Sequence, residues 1–466
     1  MFISLKSVGW KALLLLLILA LAGCSSSMKT EYQRPRVTLP EQWMAASDRG
    51  NLVLQGPGWW KVFQDPVLDQ LIDKVLKTNN ELAAAAIKVR KARLEAGLEA
   101  ESLRPEWSVS ASVGKTKDLR SGTSSNSSGT TTRLSWEPDF WGKLASSRDA
   151  ADWEARATEQ DLAYTALSLV GTTADLYWRI AYLNQSIQTS RESIEYTFKT
   201  LEMVRVKYTA GEVSELDVLQ AEQNVETQKG DLESLYQEMA EARNSLAILF
   251  DQPPGPIVAD PKHLTDMAVP IPKPGMPAAI LGNRPDLRAA ELRLRKVLAS
   301  TDSTRANYYP SLSLTSQIGT SSTQLLNLLA NPVATLGAGL SLPFVQWNKM
   351  KLNIEIAKEE YEQAVVEFRQ TLYEALQDVE NALSAGKHYM AREAILLRSL
   401  DLAREAERMA EVRYRAGQTG VQDWLDQQET RRTAELALAK NRYNRLNNLM
   451  TLYVALGGEP VSKDAE

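Results

Sequence analysis

The sequence predicts an α+β chain, mostly α, made of two copies of one unit in which a β-hairpin is joined to a long helical hairpin. Three observations carry this. The stretch KYTAGEVSELDVLQAE at 207–222 returns as RYRAGQTGVQDWLDQQ at 413–428, with Tyr208/Tyr414, Gly211/Gly417, Asp217/Asp423 and Leu219/Leu425 in register. No proline occurs from Asp139 to Gln252, nor from Phe344 to Glu459. Four short segments alternate apolar residues with Ser, Thr and Gly.

The repeat is the strongest of these signals, because self-similarity at a fixed offset reports architecture directly. An offset of 206 residues also links Trp141-Gly142-Lys143 to Trp347-Asn348-Lys349, and an offset of 205 links Leu82 to Leu287 and Pro105 to Pro310. Residues 66–255 and 271–460 are therefore two diverged copies. A Pro-rich connector at 256–270 separates them, and a tail at 461–466 follows.

The Pro-free runs predict helical hairpins over about 145–250 and about 350–456, each reversed at its glycine turn. Two arms of roughly 55 residues at 1.5 Å per residue would each extend on the order of 80–90 Å. Apolar residues recur with a heptad period: Leu176, Ile180, Leu183, Ile187, Leu201 and Val204 on one arm, and Val218, Ala221, Val225, Leu232 and Leu235 on the return. Ser190 and Thr197 are polar members of the first seam, and Gln228 interrupts the second. Sustained heptads imply left-handed coiled-coil packing.

Strands are predicted at about 105–114, 130–137, 310–319 and 333–342, with SGTSSNSSGT as the loop between the first two. Trp107, Val109, Ala111 and Val113 alternate with Ser108, Ser110, Ser112 and Gly114. A soluble half-buried sheet explains any one such strand. Four of them, with few charges on the polar face and following a secretion signal, suit a transmembrane β-barrel with lipid outside and water within. Four strands cannot close alone, because open edges leave unpaired backbone groups in lipid. Pooling gives eight strands in a dimer or twelve in a trimer. An eight-stranded lumen is nearly filled by side chains, so conduction favours twelve.

The N-terminus reads as a signal peptide at 1–23, with Lys6 and Lys11 ahead of the apolar run ALLLLLILALAG. Leu21-Ala22-Gly23-Cys24 resembles a bacterial lipobox, which would make Cys24 the lipid-bearing first residue of a segment at 24–65. By the same resemblance, Ser25 favours outer-membrane sorting. Acyl chains anchor a protein to a bilayer without spanning it. Cleavage takes the net charge from −5 to −7, which offers nothing to nucleic acid. One cysteine and two histidines leave no raw material for a disulfide framework, a Cys/His metal site or a catalytic constellation. No enzyme, metal or cofactor is expected beyond the covalent lipid.

Several stretches together resemble the TolC/OprM-type outer-membrane efflux channels, in particular their lipoprotein, NodT-like branch. They are the lipobox, YQRP at 32–35, GWWKVFQDPVLDQLI at 58–72, NRPDLRAAE at 283–291, YYPSLSLTSQIG at 308–319 and the paired Y-x-x-G…D-x-L turns. The resemblance implies a homotrimer with a shared twelve-stranded transmembrane β-barrel in the outer membrane and a trimeric α-barrel crossing the periplasm. It also implies partnership with a periplasmic adaptor protein and an inner-membrane pump. The function it implies is the passive exit duct of a tripartite efflux pump for small molecules such as drugs and toxic compounds. Two other functions stay open: a duct for type I protein secretion, and a non-conducting coiled-coil lipoprotein scaffold or adhesin.

Residues that narrow the tunnel matter most in such a channel. The resemblance places Asp217, Asp423 and Asp426 at or near the periplasmic aperture. Ser214 and Asp217 also read as N-cap and N3 of a helix start, where an acid suits the dipole. Asp426 lies one helical turn beyond Asp423, where like charges are unfavourable, and capping does not account for it. In three chains Asp423 and Asp426 would place six carboxylates around a narrow mouth and attract cations. The first copy has Gln220 where the second has Asp426. The turns themselves, Gly211-Glu212-Val213-Ser214 and Gly417-Gln418-Thr419-Gly420, are candidates for adaptor contact, besides simply reversing the helices.

Overall fold

The computed structural model describes residues 29–45, 58–255, 260–264, 277–322 and 332–458. The signal peptide, Cys24, most of the Pro-rich connector and the C-terminal tail lie outside these residues. The described elements run α1 (Pro66–Thr78), α2 (Asn80–Glu101), β1 (Glu106–Lys117), β2 (Ser124–Trp136), α3 (Lys143–Thr209), α4 (Glu215–Leu249), α5 (Pro285–Ala306), β3 (Ser311–Ser322), β4 (Pro332–Ser341), α6 (Trp347–Arg415) and α7 (Val421–Ala455). The chain divides into two units. One comprises 1–37, 87–160 and 289–371, and the other 38–86, 161–288 and 372–466.

The first unit holds the sheet. Its order is β1-β2-β3-β4, antiparallel throughout. The register decides which side chains share a face, because successive residues point to opposite sides. Trp107 pairs with Leu134, Leu134 with Ser316 and Ser316 with Leu336. Val109 pairs with Thr132, Thr132 with Ile318 and Ile318 with Ala334. Nearly all the apolar residues of the four strands thus fall on one face, with a few Ser and Thr among them, while the other face is Ser, Thr and Gly apart from Glu106, Arg133, Gln317 and Val333. The apolar face is uncovered within the chain: Val109 is 78% exposed and Leu336 85%. On the polar face a Cβ at Gly337 would come within 2.9 Å of the Thr315 hydroxyl, and one at Gly339 within 2.8 Å of the Ser313 hydroxyl. Glycine there lets neighbouring strands approach closely.

The structure redraws one boundary. The Ser/Gly-rich stretch read as a loop is mostly strand, since β2 begins at Ser124 and pairs with β1 out to Lys117. This outer half of β2 lacks apolar alternation, so nothing in its periodicity announces a strand.

The second unit is helical. Asp65 caps α1 by accepting from the Val67 and Leu68 amides (3.0 and 3.2 Å), and Pro66 supplies the pre-set first helical position. Its main core joins Trp59, Phe63, Leu68, Ile72, Trp178, Ile180, Leu183, Leu246, Met450 and Tyr453. The Trp59 ring stacks on Tyr453 at 5.4 Å. Arg284, in the NRPDL stretch, is buried. It donates to Asp286 (2.8 Å), to Asp378 (3.2 Å) and to the Ala455 carbonyl at the end of α7 (3.2 Å).

The helical hairpins have unequal arms. The two outgoing helices, α3 and α6, have 67 and 69 residues, and the two returning helices, α4 and α7, have 35 each. The expectation of two arms of roughly 55 residues came from halving each Pro-free run; at ~1.5 Å per residue the arms are instead about 100 and 52 Å. The reversal is set by the left-handed glycines Gly211 (φ 76°) and Gly417 (φ 71°), which do not sit at the middle of those runs. Among the described residues no helix is long and apolar enough to cross a membrane.

Candidate functional site: the paired helical tips

The two turns close in the same way. Gly211 N–H donates to the Tyr208 carbonyl and Glu212 N–H to that of Lys207, both at 2.9 Å. In the second turn Gly417 N–H donates to Tyr414 (3.0 Å) and Gln418 N–H to Arg413 (2.9 Å). The glycine adopts the left-handed conformation that L side chains resist, and the amides beyond it satisfy the last free carbonyls of the outgoing helix.

Both tips belong to the second unit and pack together. Leu201, Val204, Ala221, Val225, Tyr414, Val421, Trp424 and Leu425 form one buried cluster drawn from both hairpins. The Tyr414 and Trp424 rings lie 5.4 Å apart, and Tyr196 meets Trp424 edge-on at 6.3 Å. Tyr208 and Tyr414 are repeat equivalents with different environments: the first is 45% exposed and the second 2%. Both turns line one open cleft of about 880 Å³, together with Lys207, Asp217 and Tyr414. Lys207 Nζ lies 5.1 Å over the Tyr414 ring and 3.4 Å from Glu212. The buried Tyr414 and Thr419 hydroxyls have no hydrogen-bond partner among the described residues.

The structure separates the aspartates. Asp217 completes a capping box with Ser214: its Oδ2 accepts from the Ser214 amide (2.8 Å) and hydroxyl (2.6 Å), while its own amide donates to Ser214 Oγ (3.4 Å). Its carboxylate also lies beside the start of α7, where the backbone N–H of Val421 favours the charged form. There the N-cap is Gly420, which has no side chain to offer. The Ser214 hydroxyl first, and then the backbone amides, hold the Asp217 carboxyl below the usual aspartate range, against burial, which raises it. Asp423, its repeat equivalent, is exposed, and its carboxylate accepts no bond among the described residues. Asp426 is also exposed and accepts from Gln422 Nε2 one turn earlier, at 2.6 Å. Gln220, at the equivalent position in the first copy, is half-buried.

Periodicity had no way to single out a second constellation, in the first unit. The irregular segment at 29–37 is clamped to α5. Arg34 pairs with Glu291 at 2.6 Å, and the Tyr32 hydroxyl donates to the same carboxylate at 3.3 Å. The Arg295 guanidinium lies 4.5 Å over the Tyr32 ring. Thr30 donates its amide and its hydroxyl to Asp302, both at 2.7 Å. YQRP and NRPDLRAAE, far apart in sequence, thus meet through Arg34 and Glu291. Cys24, the lipidation candidate, lies outside the described residues.

Three other features bear on function. Trp141 donates to the Pro310 carbonyl at 2.7 Å and lies against Tyr309, while Trp347 is largely exposed, so aromatic residues border the sheet where the helices join it. Among the described residues no group of His, Cys, Asp and Glu is placed to hold a metal ion. Burial raises the Tyr414 pKa, as do the nearby charges of Asp217 and Glu212, keeping its hydroxyl a donor at neutral pH.

Comparison with known proteins agrees with this architecture. The chain is 29% identical over 404 residues to "Toxin and drug export protein A" of Aggregatibacter actinomycetemcomitans, covering 86% of this chain and 88% of that one. It is 26% identical to the "Probable outer membrane lipoprotein SilC" of Salmonella typhimurium, covering 95% and 97%. Among solved structures, the outer-membrane channel OprN superposes with a TM-score of 0.82 at 26% identity, covering 92% of this chain and 98% of that one. The sequence pattern of the outer membrane efflux proteins matches residues 71–250 and 276–458, one segment for each repeat, and the chain belongs to that family.

Proposed function

We propose that three copies of this chain pool their strands into one closed twelve-stranded barrel and act as the exit duct of a tripartite pump for small toxic molecules. The observation that carries this is the sheet itself. Among the described residues it has an uncovered apolar face and two edge strands, β1 and β4, each paired on one side alone. In lipid such edges are untenable, and pairing β1 of one copy with β4 of the next removes all of them. Each copy brings two helical hairpins, so the same assembly supplies six to a helical cylinder.

In this reading the tips form the periplasmic mouth. Asp423 and Asp426, exposed on the first turns of α7, contribute six carboxylates around it and favour cations. Asp217 ties the two tips of one chain together and holds the mouth in one arrangement. The turns Gly211–Ser214 and Gly417–Gly420 are the contact surface for a periplasmic adaptor, which links the duct to an inner-membrane pump. Cys24 carries the lipid, and the Arg34–Glu291 clamp fixes the segment that follows it. The cargo class rests on the toxin- and drug-exporting relative.

A Cys24→Ala protein carrying a substitute signal peptide tests the duct against a lipoprotein scaffold. The duct predicts a heat-sensitive oligomer that still needs detergent. Release into the soluble periplasmic fraction would overturn it.

A further inference from the structure

We propose that Lys115, Lys117 and Arg120 form a cationic rim on the outer end of the barrel that binds the phosphate groups of outer-leaflet lipid. This rests on the barrel reading above. The register carries it. Lys115 and Lys117 continue the face of β1 that bears Trp107, Val109, Ala111 and Val113, not the face of Ser108, Ser110, Ser112 and Thr116. They therefore point toward lipid rather than into the lumen. All four strands join helices at the end marked by Glu106, Trp136, Ser311 and Ser341, and the β1–β2 turn with Arg120 lies at the other end. With the helices in the periplasm, that turn faces outward.

Height agrees with this placement. Lys115 is eight residues beyond Trp107. At roughly 3.3 Å per residue and a tilt of about 40°, it stands on the order of 20 Å above it. The apolar band of such barrels is about 25 Å tall. Lys115 thus sits at the band's outer edge, where its stem can lie along the apolar surface while its ammonium reaches the headgroups. The same-face neighbours at this level, Ser128, Asn126 and Ser124, are uncharged.

The cations are also uncommitted. Among the described residues none of the three forms an ion pair. The nearby carboxylate, Asp118, is spent within the turn, accepting from the Arg120 and Ser121 amides at 2.8 and 2.9 Å. Two cations on the lipid-facing surface at headgroup height, with a third in the turn just beyond them, fit an anionic lipid phosphate. A soluble anion passing through the duct would call for cations on the lumen face. Basic residues beside an anionic membrane surface each strengthen association several-fold.

The test uses the purified full-length trimer and native mass spectrometry. The probes are a bisphosphorylated glycolipid, its dephosphorylated counterpart and inorganic phosphate. Wild type should retain the phosphorylated glycolipid at least about tenfold better than the dephosphorylated one. Lys115→Gln/Lys117→Gln/Arg120→Gln should lose that preference. Lys115→Arg/Lys117→Arg should keep it, and Arg133→Gln, on the lumen face, should leave it unchanged. Equal retention by the triple variant, or no preference in wild type, overturns the proposal. Displacement of the glycolipid by millimolar inorganic phosphate also overturns it, because the site would then be one for free anions. Failure of the barrel reading shows separately, as absence of a heat-sensitive trimer in wild type. If the triple variant does not assemble, Lys117→Gln alone decides, with weakened retention expected and unchanged retention contrary.

Discussion

The Asp217 carboxylate of the first repeat lies beside the start of the second repeat's returning helix, where the Val421 amide favours its charged form. A Cβ on Gly420 would lie 3.9 Å from Asp217 Oδ1. One side chain thereby caps one helix start and suits the dipole of a second. Asp217→Ala should weaken the α4 start by about 1 kcal/mol and the α7 start by about 0.3–1 kcal/mol. Ser214→Ala should weaken only that of α4. Hydrogen exchange at Val421–Asp423 checks this: it should accelerate in Asp217→Ala and stay unchanged in Ser214→Ala.

Asp260 sets a pH dependence in the connector. Burial raises its pKa, but hydrogen bonds from Lys262, Asn184 and Arg243 outweigh that and hold it at about 2, against an ordinary 3.8. The folded-state value is the lower one. The stability it adds is therefore complete above the ordinary value and is lost as pH falls through the range from there to about 2. Exchange at residues 260–264 should rise across that window in wild type. In Asp260→Asn it should be raised already at neutral pH and respond less to acid.

Neighbouring residues of β1 should respond oppositely to one substitution. Val109→Arg places a cation in lipid, costing about 2–4 kcal/mol near the midplane, and should reduce the yield of heat-sensitive trimer. Ser110→Arg points into the lumen, so the trimer should form with a smaller conductance. Gel mobility with and without heating checks the first, and bilayer recording the second.

Arg284 is 7% exposed and serves two carboxylates and two backbone carbonyls. Arg284→Met strands the buried Ala375 and Ala455 carbonyls, and leaving such acceptors unpaired costs about 1–3 kcal/mol. Denaturant titration should show that loss, while Arg104→Met, whose partner Glu101 is exposed, should change little.

These cases show what was legible in sequence. The faces of β1, β3 and β4 were, because Trp107, Val109, Leu314 and Leu336 alternate with small polar residues. The outer half of β2 was not, since Ser and Thr on both faces erase the period-two signal. The tip glycines were legible as repeat equivalents. The reach of Asp217 to Val421 was not, because it joins positions 204 residues apart through packing that no local pattern encodes. The same holds for Arg34 with Glu291 and for Arg284 with the end of α7. Asp217 and Asp423 looked alike as helix-start residues, and only the three-dimensional context sets the first beside two helix starts and leaves the second exposed.

Single-channel recording of the purified protein in planar bilayers tests the central claim, a conducting duct whose mouth these tips narrow, most directly. The account predicts discrete, long-lived, cation-preferring conductance steps. They should be larger in Asp217→Ala and lose much of their cation preference in Asp423→Asn/Asp426→Asn. Incorporation of wild type and Asp217→Ala without conductance steps, or ion selectivity unchanged by removing the two exposed carboxylates, would contradict it.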